Sequence, residues 1–95
     1  MRNLLIDDKR DIETGLIARD YDSGIIALKT AGPFEVLYLD HDLGDEDPHK
    51  TGYGIMCFLE ENPQLLPKRI SLVTSNPVGR KNMLIVINRL YGDKS

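Results

Sequence analysis

Four short apolar runs constrain this chain more than any other feature: residues 3–6, 16–19, 36–39 and 70–74 are near-continuously apolar instead of alternating with polar positions. A strand with one face in water alternates, whereas a strand covered on both faces does not, so these runs predict a mostly parallel four-stranded sheet. Parallel neighbours cannot be joined by tight hairpins and need crossovers, which the helical stretches between and after the runs supply. The first helix is expected to start with Asp22 or Ser23 as N-cap, to carry Ile25, Leu28 and Ala31 inward, and to stop at Gly32-Pro33. The second begins near Thr51, presents Ile55, Met56 and Leu59, and ends before Asn62-Pro63.

A third helix follows Pro77-Val78-Gly79 and spans residues 80–91, with a run at 83–87 that is apolar nearly all round. Such a helix is either wedged into the core or paired with a second copy of itself. Leu84, Ile85 and Tyr91 are expected to face away from the stripe of Met83, Val86, Ile87 and Leu90, leaving them for a homodimer through this C-terminal helix. Residues 7–15 show no helical pattern and read as an exposed loop suited to holding a ligand.

At 95 residues the chain supplies one core, and a single domain over residues 1–95 is expected. No apolar run approaches the roughly 20 residues of a membrane span, and the N-terminus reaches acid at Asp7 too early for a signal peptide. A single cysteine, Cys57, in an apolar helical stretch reads as a packed thiol, and a cytoplasmic setting fits. With a net charge of −3 the chain has no broad basic surface, which excludes extended DNA binding and leaves only local contacts to a nucleic acid.

The candidate chemistry lies where the runs end. The first is followed by Asp7-Asp8 and the third by Asp40-His41-Asp42-Leu43-Gly44, so both acidic groups leave the sheet at its carboxyl edge, where open α/β sheets bind ligands. Tight turns and helix caps use the same residue types, but two acidic strand ends together also repel, and a hard divalent cation relieves that repulsion. Oxygen-only donors suit Mg²⁺, or Mn²⁺ in its place, better than zinc. Asp45, Glu46 and Asp47 read as a solvated loop, and His49 as exposed.

The fourth run ends in Thr74-Ser75-Asn76-Pro77, at the same edge and just before a helix N-terminus. Hydroxyls, an amide and free backbone N–H groups there form a candidate phosphate subsite, and Ser75 or Asn76 would serve equally as a helix cap. His41 is either a general acid or base or, by strand alternation, a side chain turned away from the site to pack.

Leu5-Ile6-Asp7-Asp8, Leu39-Asp40-His41-Asp42-Leu43-Gly44, Thr51-Gly52-Tyr53 and the stretch from Ser75 to Met83 together resemble the cyclic-phosphate-processing receiver domains. The resemblance runs over nearly the whole chain and implies a small three-layer receiver-like (flavodoxin-like) α/β fold. The family is similar to the phosphoacceptor receivers of two-component signalling and is associated with RNA-repair and conflict systems. By this resemblance Asp7, Asp8 and Asp40 hold the metal, Asp40 standing at the phosphoacceptor position, and Ser75 or Thr74 contacts phosphate. Ordinary receivers carry Lys-Pro after their last strand; here Asn76-Pro77 follows the fourth, so Arg10, Arg80 or Lys81 would supply the cation. The expected function is metal-dependent hydrolysis of a cyclic phosphate on an RNA terminus or cyclic nucleotide, with Asp42 or His41 transferring the proton. A phage or mobile-element product acting against nucleotide-based defence would suit such a chain. The alternative is a non-catalytic module that sequesters a phosphate ligand or a protein partner.

Overall fold

In the computed structural model, which describes residues 2–13 and 15–92, all four apolar runs form strands. They are β1 (Asn3–Ile6), β2 (Leu16–Ala18), β3 (Val36–Leu39) and β4 (Arg69–Leu72). The sheet order is β2-β1-β3-β4 and every pairing is parallel. Three helices join and follow them, α1 (Tyr21–Ala31), α2 (Gly52–Glu61) and α3 (Pro77–Tyr91), with one 3-10 turn at Pro63–Leu65.

Paired residues of a parallel ladder share a face, so register tells which side chains meet. Leu4, Ile6, Ala18, Leu37 and Leu39 lie on one face and form a single core with Leu28 of α1, Ile55, Met56 and Leu59 of α2, and Met83 and Val86 of α3. All three helices therefore cover the same face. The reason is chirality: β2 to β3 and β3 to β4 step in the same direction across the sheet, and right-handed crossovers taken in one direction fall on one side. The step from β1 to β2 runs the other way, and its connection contains no helix among the described residues. The fold is the expected small α/β receiver-like one, but among the described residues it has two layers and not the expected three, because all three helices lie on one face of the sheet. Leu5, Ile17, Val36 and Tyr38 point to the opposite face, where Ile17 is 39% exposed.

The ends of the elements depart from expectation by a few residues, each for a local reason. The first helix is capped by Asp20, not by Asp22 or Ser23: Asp20 Oδ1 accepts from Ser23 N at 2.8 Å while the Ser23 hydroxyl pairs back with the Asp20 backbone, a reciprocal capping box. Helix α3 begins at Pro77, earlier than residue 80, because Asn76 caps it by accepting from Gly79 N at 3.0 Å and Pro77 has no N–H to satisfy. Strand β4 covers 69–72 instead of 70–74; Val73 N still donates to Leu39 O at 3.0 Å, and Thr74 turns its hydroxyl to accept from Asn76 N. Tyr91 faces inward, contrary to expectation, since its hydroxyl donates to Pro67 O at 2.7 Å. Leu84 and Ile85 do face out, 38% and 52% exposed. Cys57 is half-buried, and no helix among the described residues is long and apolar enough to cross a membrane.

The Ser23 hydroxyl, then the Ser23 N–H, hold the Asp20 carboxyl below its ordinary range. A carboxyl with a lowered folded-state pKa contributes stability that is present above the unfolded value and is lost as pH falls through the folded one. Asp20→Ala should therefore cost about 1 kcal/mol at neutral pH and progressively less below about pH 4, whereas Asp20→Asn should keep the cap and flatten the pH dependence. Urea melts of both variants at neutral and acidic pH check this; an Asp20→Ala penalty that stays constant would contradict it.

Candidate active site

Register brings the first two carboxylates together. Ile6 pairs with Leu39, so the next residues on each strand, Asp7 and Asp40, are neighbours, and the ladder continues through them: Asp40 N donates to Ile6 O at 3.0 Å and Asp7 N to Ala18 O at 3.1 Å. Asp7 is fully buried and Asp40 is 7% exposed. Buried carboxylates require partners. Asp7 Oδ1 accepts from Lys9 N at 2.8 Å and from Arg10 N at 3.1 Å, and Oδ2 accepts from Arg10 Nη1 at 2.9 Å. Burial pushes the Asp7 carboxyl up, but the Arg10 guanidinium and the two backbone N–H groups outweigh it and hold it below its ordinary value. Asp40 Oδ1 accepts from His41 N at 2.8 Å, while its Oδ2 lies 3.7 Å from Arg10 Nη1.

Asp8 completes a triad: one carboxylate oxygen from each of Asp7, Asp8 and Asp40 lies within 4.8 Å of the others. Gly44, at φ 72°, lets the chain turn back beside Asp8, a conformation open to glycine at little cost. Beneath Asp40, Gly52 N donates to His41 O at 2.9 Å, and a Cβ on Gly52 would run into the Asp40 carbonyl oxygen. The start of α2 thus sits directly against the backbone that carries Asp40.

The three carboxylates open into a pocket of about 370 Å³ that Lys9, Arg10, Asp42 and Ser75 also line. Ser75 therefore stands where expected. Thr74 and Asn76 hold the turn that presents it. Arg80 does not line the pocket; its Nη1 donates to Leu72 O at 3.2 Å. Lys81 is exposed and also outside it. His41 has turned away: its ring packs against Gly79 in the first turn of α3, where a Cβ would collide with it, and its Nδ1 lies 3.2 Å from Asp42 Oδ1. Another cleft of about 290 Å³, between α1 and α2, is walled by Tyr21, Tyr53 and Phe58 and lacks the carboxylate cluster.

Sequence reasoning missed Arg19. Its Nη1 donates to Arg10 O at 2.6 Å and to Asp7 O at 3.4 Å, and its Nη2 pairs with Asp11, so it braces the backbone of the loop that carries the acidic pair. An arginine just past a strand that neighbours β1 was the available signal.

An all-parallel sheet with an acidic pair after its first strand, a further aspartate after the adjacent central strand and a serine after a later one defines a receiver-like domain. Comparison with protein-family models matches residues 2–89 to the cyclic-phosphate processing receiver domain, and the chain belongs to that family. Neither the curated proteins nor the solved structures returned a match.

Proposed function

We propose that the protein is a metal-dependent phosphoesterase that hydrolyses a cyclic phosphate on an RNA end or a cyclic nucleotide. The observation that carries this reading is the meeting of Asp7, Asp8, Asp40 and Ser75 in one pocket at the carboxyl edge of the sheet. Family membership supplies the substrate class.

The donors fit Mg²⁺ or Mn²⁺, which would be held by Asp7, Asp8 and Asp40. They are all hard oxygens, and oxygens sharing one Mg²⁺ lie about 3 to 4 Å apart, so a triad already within 4.8 Å needs only a small contraction. Such an ion supplies positive charge against the phosphate oxygens. The Ser75 hydroxyl donates to a phosphate oxygen. Thr74 and Asn76 use only acceptor oxygens in their turn, which leaves the Thr74 hydroxyl proton and the Asn76 amide hydrogens available as further donors. Arg80 and Lys81 add positive potential from outside the pocket. In the reaction water adds at phosphorus, one ring P–O bond breaks, and the leaving oxygen takes a proton from solvent. Asp42, 68% exposed at the pocket, accepts the proton of the attacking water, with His41 beside it to pass that proton on.

One observation favours a second reading, a binding module that retains its phosphate ligand unchanged: the His41 ring lies against Gly79, so proton transfer rests on Asp42 with His41 only alongside. A panel of cyclic nucleotides and cyclic-phosphate RNA ends, incubated with protein and Mg²⁺, decides between them. Turnover lost in Asp40→Asn supports the enzyme; tight binding with every ligand recovered intact supports the module.

Millimolar Mg²⁺ should also stabilise the fold, by about 1.4 kcal/mol when the ion is at ten times its Kd, which is several degrees in Tm for a domain of this size. Asp40→Asn and Asp8→Asn should blunt that response and Asp47→Asn should not. Equal shifts in all three thermal melts would remove the metal from the reading. Self-association through α3 belongs to the same proposal, its contact being Leu84, Ile85 and the 68% exposed Val78. Light scattering well above micromolar concentration should give a mass above the monomer, and a monomer alone would end that part of it.

A further inference from the structure

The two carboxylate oxygens that face each other across the base of the pocket share one partner. Asp7 Oδ2 accepts from Arg10 Nη1 at 2.9 Å, and Asp40 Oδ2 lies 3.7 Å from the same nitrogen. The other oxygen of each carboxylate is committed to backbone N–H groups, Lys9 and Arg10 for Asp7 and His41 for Asp40. Asp7 Oδ1 already accepts two N–H bonds, so a cation that draws on Asp7 must approach Oδ2, the oxygen that Arg10 now holds, and it meets the same guanidinium beside Asp40 Oδ2. The Arg10 side chain is 47% exposed, so solvent borders its guanidinium, while its carbonyl is pinned by Arg19 at 2.6 Å. Ser75 lines the same pocket, within which a released guanidinium would meet a phosphate with two parallel donors.

We propose that Arg10 is a displaceable internal cation: it competes with the divalent ion for Asp7 and Asp40 and, once displaced, grips the phosphate, so that ion and phosphate bind cooperatively. This rests on the metal-and-phosphate reading of the pocket given above. By linkage, whatever the ion does for phosphate affinity, phosphate does equally for the ion.

The sign of one substitution distinguishes competition from simple support. A supporting arginine, when removed, weakens metal binding; a competing one strengthens it. Mn²⁺ titrations followed by electron paramagnetic resonance, with and without inorganic phosphate, should show Arg10→Ala binding Mn²⁺ alone tighter than wild type by about two- to fivefold, the range of a partly exposed ion pair. Phosphate should tighten Mn²⁺ binding in wild type and do so less in Arg10→Ala. Arg10→Lys, which keeps the charge without the two-pronged geometry, should restore the competition and only part of the phosphate effect. In wild type, NMR of the Arg10 guanidinium during a Mg²⁺ titration should show its resonance shifting in step with the ion, and again on adding phosphate. Mn²⁺ binding that is unchanged or weaker in a cooperatively folded Arg10→Ala overturns the competition and leaves the metal site standing. An Arg10 resonance indifferent to Mg²⁺ in a protein that binds the ion does the same. Binding of Mn²⁺ to neither protein overturns both this inference and the reading beneath it.

Discussion

Gly52→Ala is expected to lower stability by about 2 kcal/mol, although alanine is the better helix former by about 1 kcal/mol. The propensity gain is outweighed because the added methyl meets the Asp40 carbonyl oxygen and lies 2.9 Å from His41 Cα, both backbone. That backbone cannot readily yield: Asp40 N is bonded to Ile6 O, and His41 O already accepts from Gly52 N. Tm should fall by about 10 °C, and the response to Mg²⁺ should shrink with it as Asp40 is pushed from its neighbours. Gly79→Ala is the informative companion. Its methyl would strike the ring of His41, a side chain that can rotate, so the cost should be smaller, and His41→Ala in the same chain should recover most of it. Thermal melts of the three variants test the comparison, and a Gly52→Ala protein as stable as wild type would mean that α2 does not approach β3 so closely.

Ser75→Ala should leave the fold within about 0.5 kcal/mol of wild type, as expected for an exposed residue away from the core, yet lower turnover of a cyclic phosphate by about ten- to a thousandfold. The turn held by Thr74 and Asn76 fixes the backbone on either side of Ser75, and the residue lines the carboxylate pocket. A donor of that kind contributes most as charge shifts onto the phosphate oxygens in the transition state, and the loss should appear in kcat more than in KM. Ser75→Thr keeps the hydroxyl and should recover part of the rate. Equal kcat for Ser75→Ala and wild type, at matched Mg²⁺ and with both proteins folded, would take Ser75 out of the reaction.

The strands and the acidic strand ends were legible because each depends on local pattern. Residues 3–6 and 36–39 form β1 and β3 as their apolar runs indicate, and two aspartates that immediately follow register-paired strands must be neighbours. The cap of α1 lies two or three residues before the expected Asp22 or Ser23, since several residues of the right type lie side by side and only the reciprocal bond between Asp20 and Ser23 selects among them; Asn76, one of the two caps expected for α3, does cap it, although the helix starts at Pro77 and not at residue 80. Contacts made by approach of distant segments left no local trace. Nothing near His41 in the chain indicates that Gly79 will leave room for its ring, nothing near Gly52 marks its closeness to Asp40, and the inward turn of Tyr91 depends on a carbonyl at Pro67. The same holds for Arg10, whose link to Asp7 is short-range but whose reach to Asp40 exists only once β1 and β3 have paired.

That pairing has a consequence for how errors in folding are handled. Because the side-chain period of a strand is two, a slip of one residue between β1 and β3 would turn the carboxylate of one strand end to the wrong face and part it from its neighbour. A misregistered chain can still collapse, since Leu5 and Val36 are as apolar as the residues they would replace, but it cannot assemble the oxygen triad. Any ligand that needs all three carboxylates therefore acts as a proofreader, recognising only molecules whose central strands are correctly aligned and drawing the rest of the population towards them.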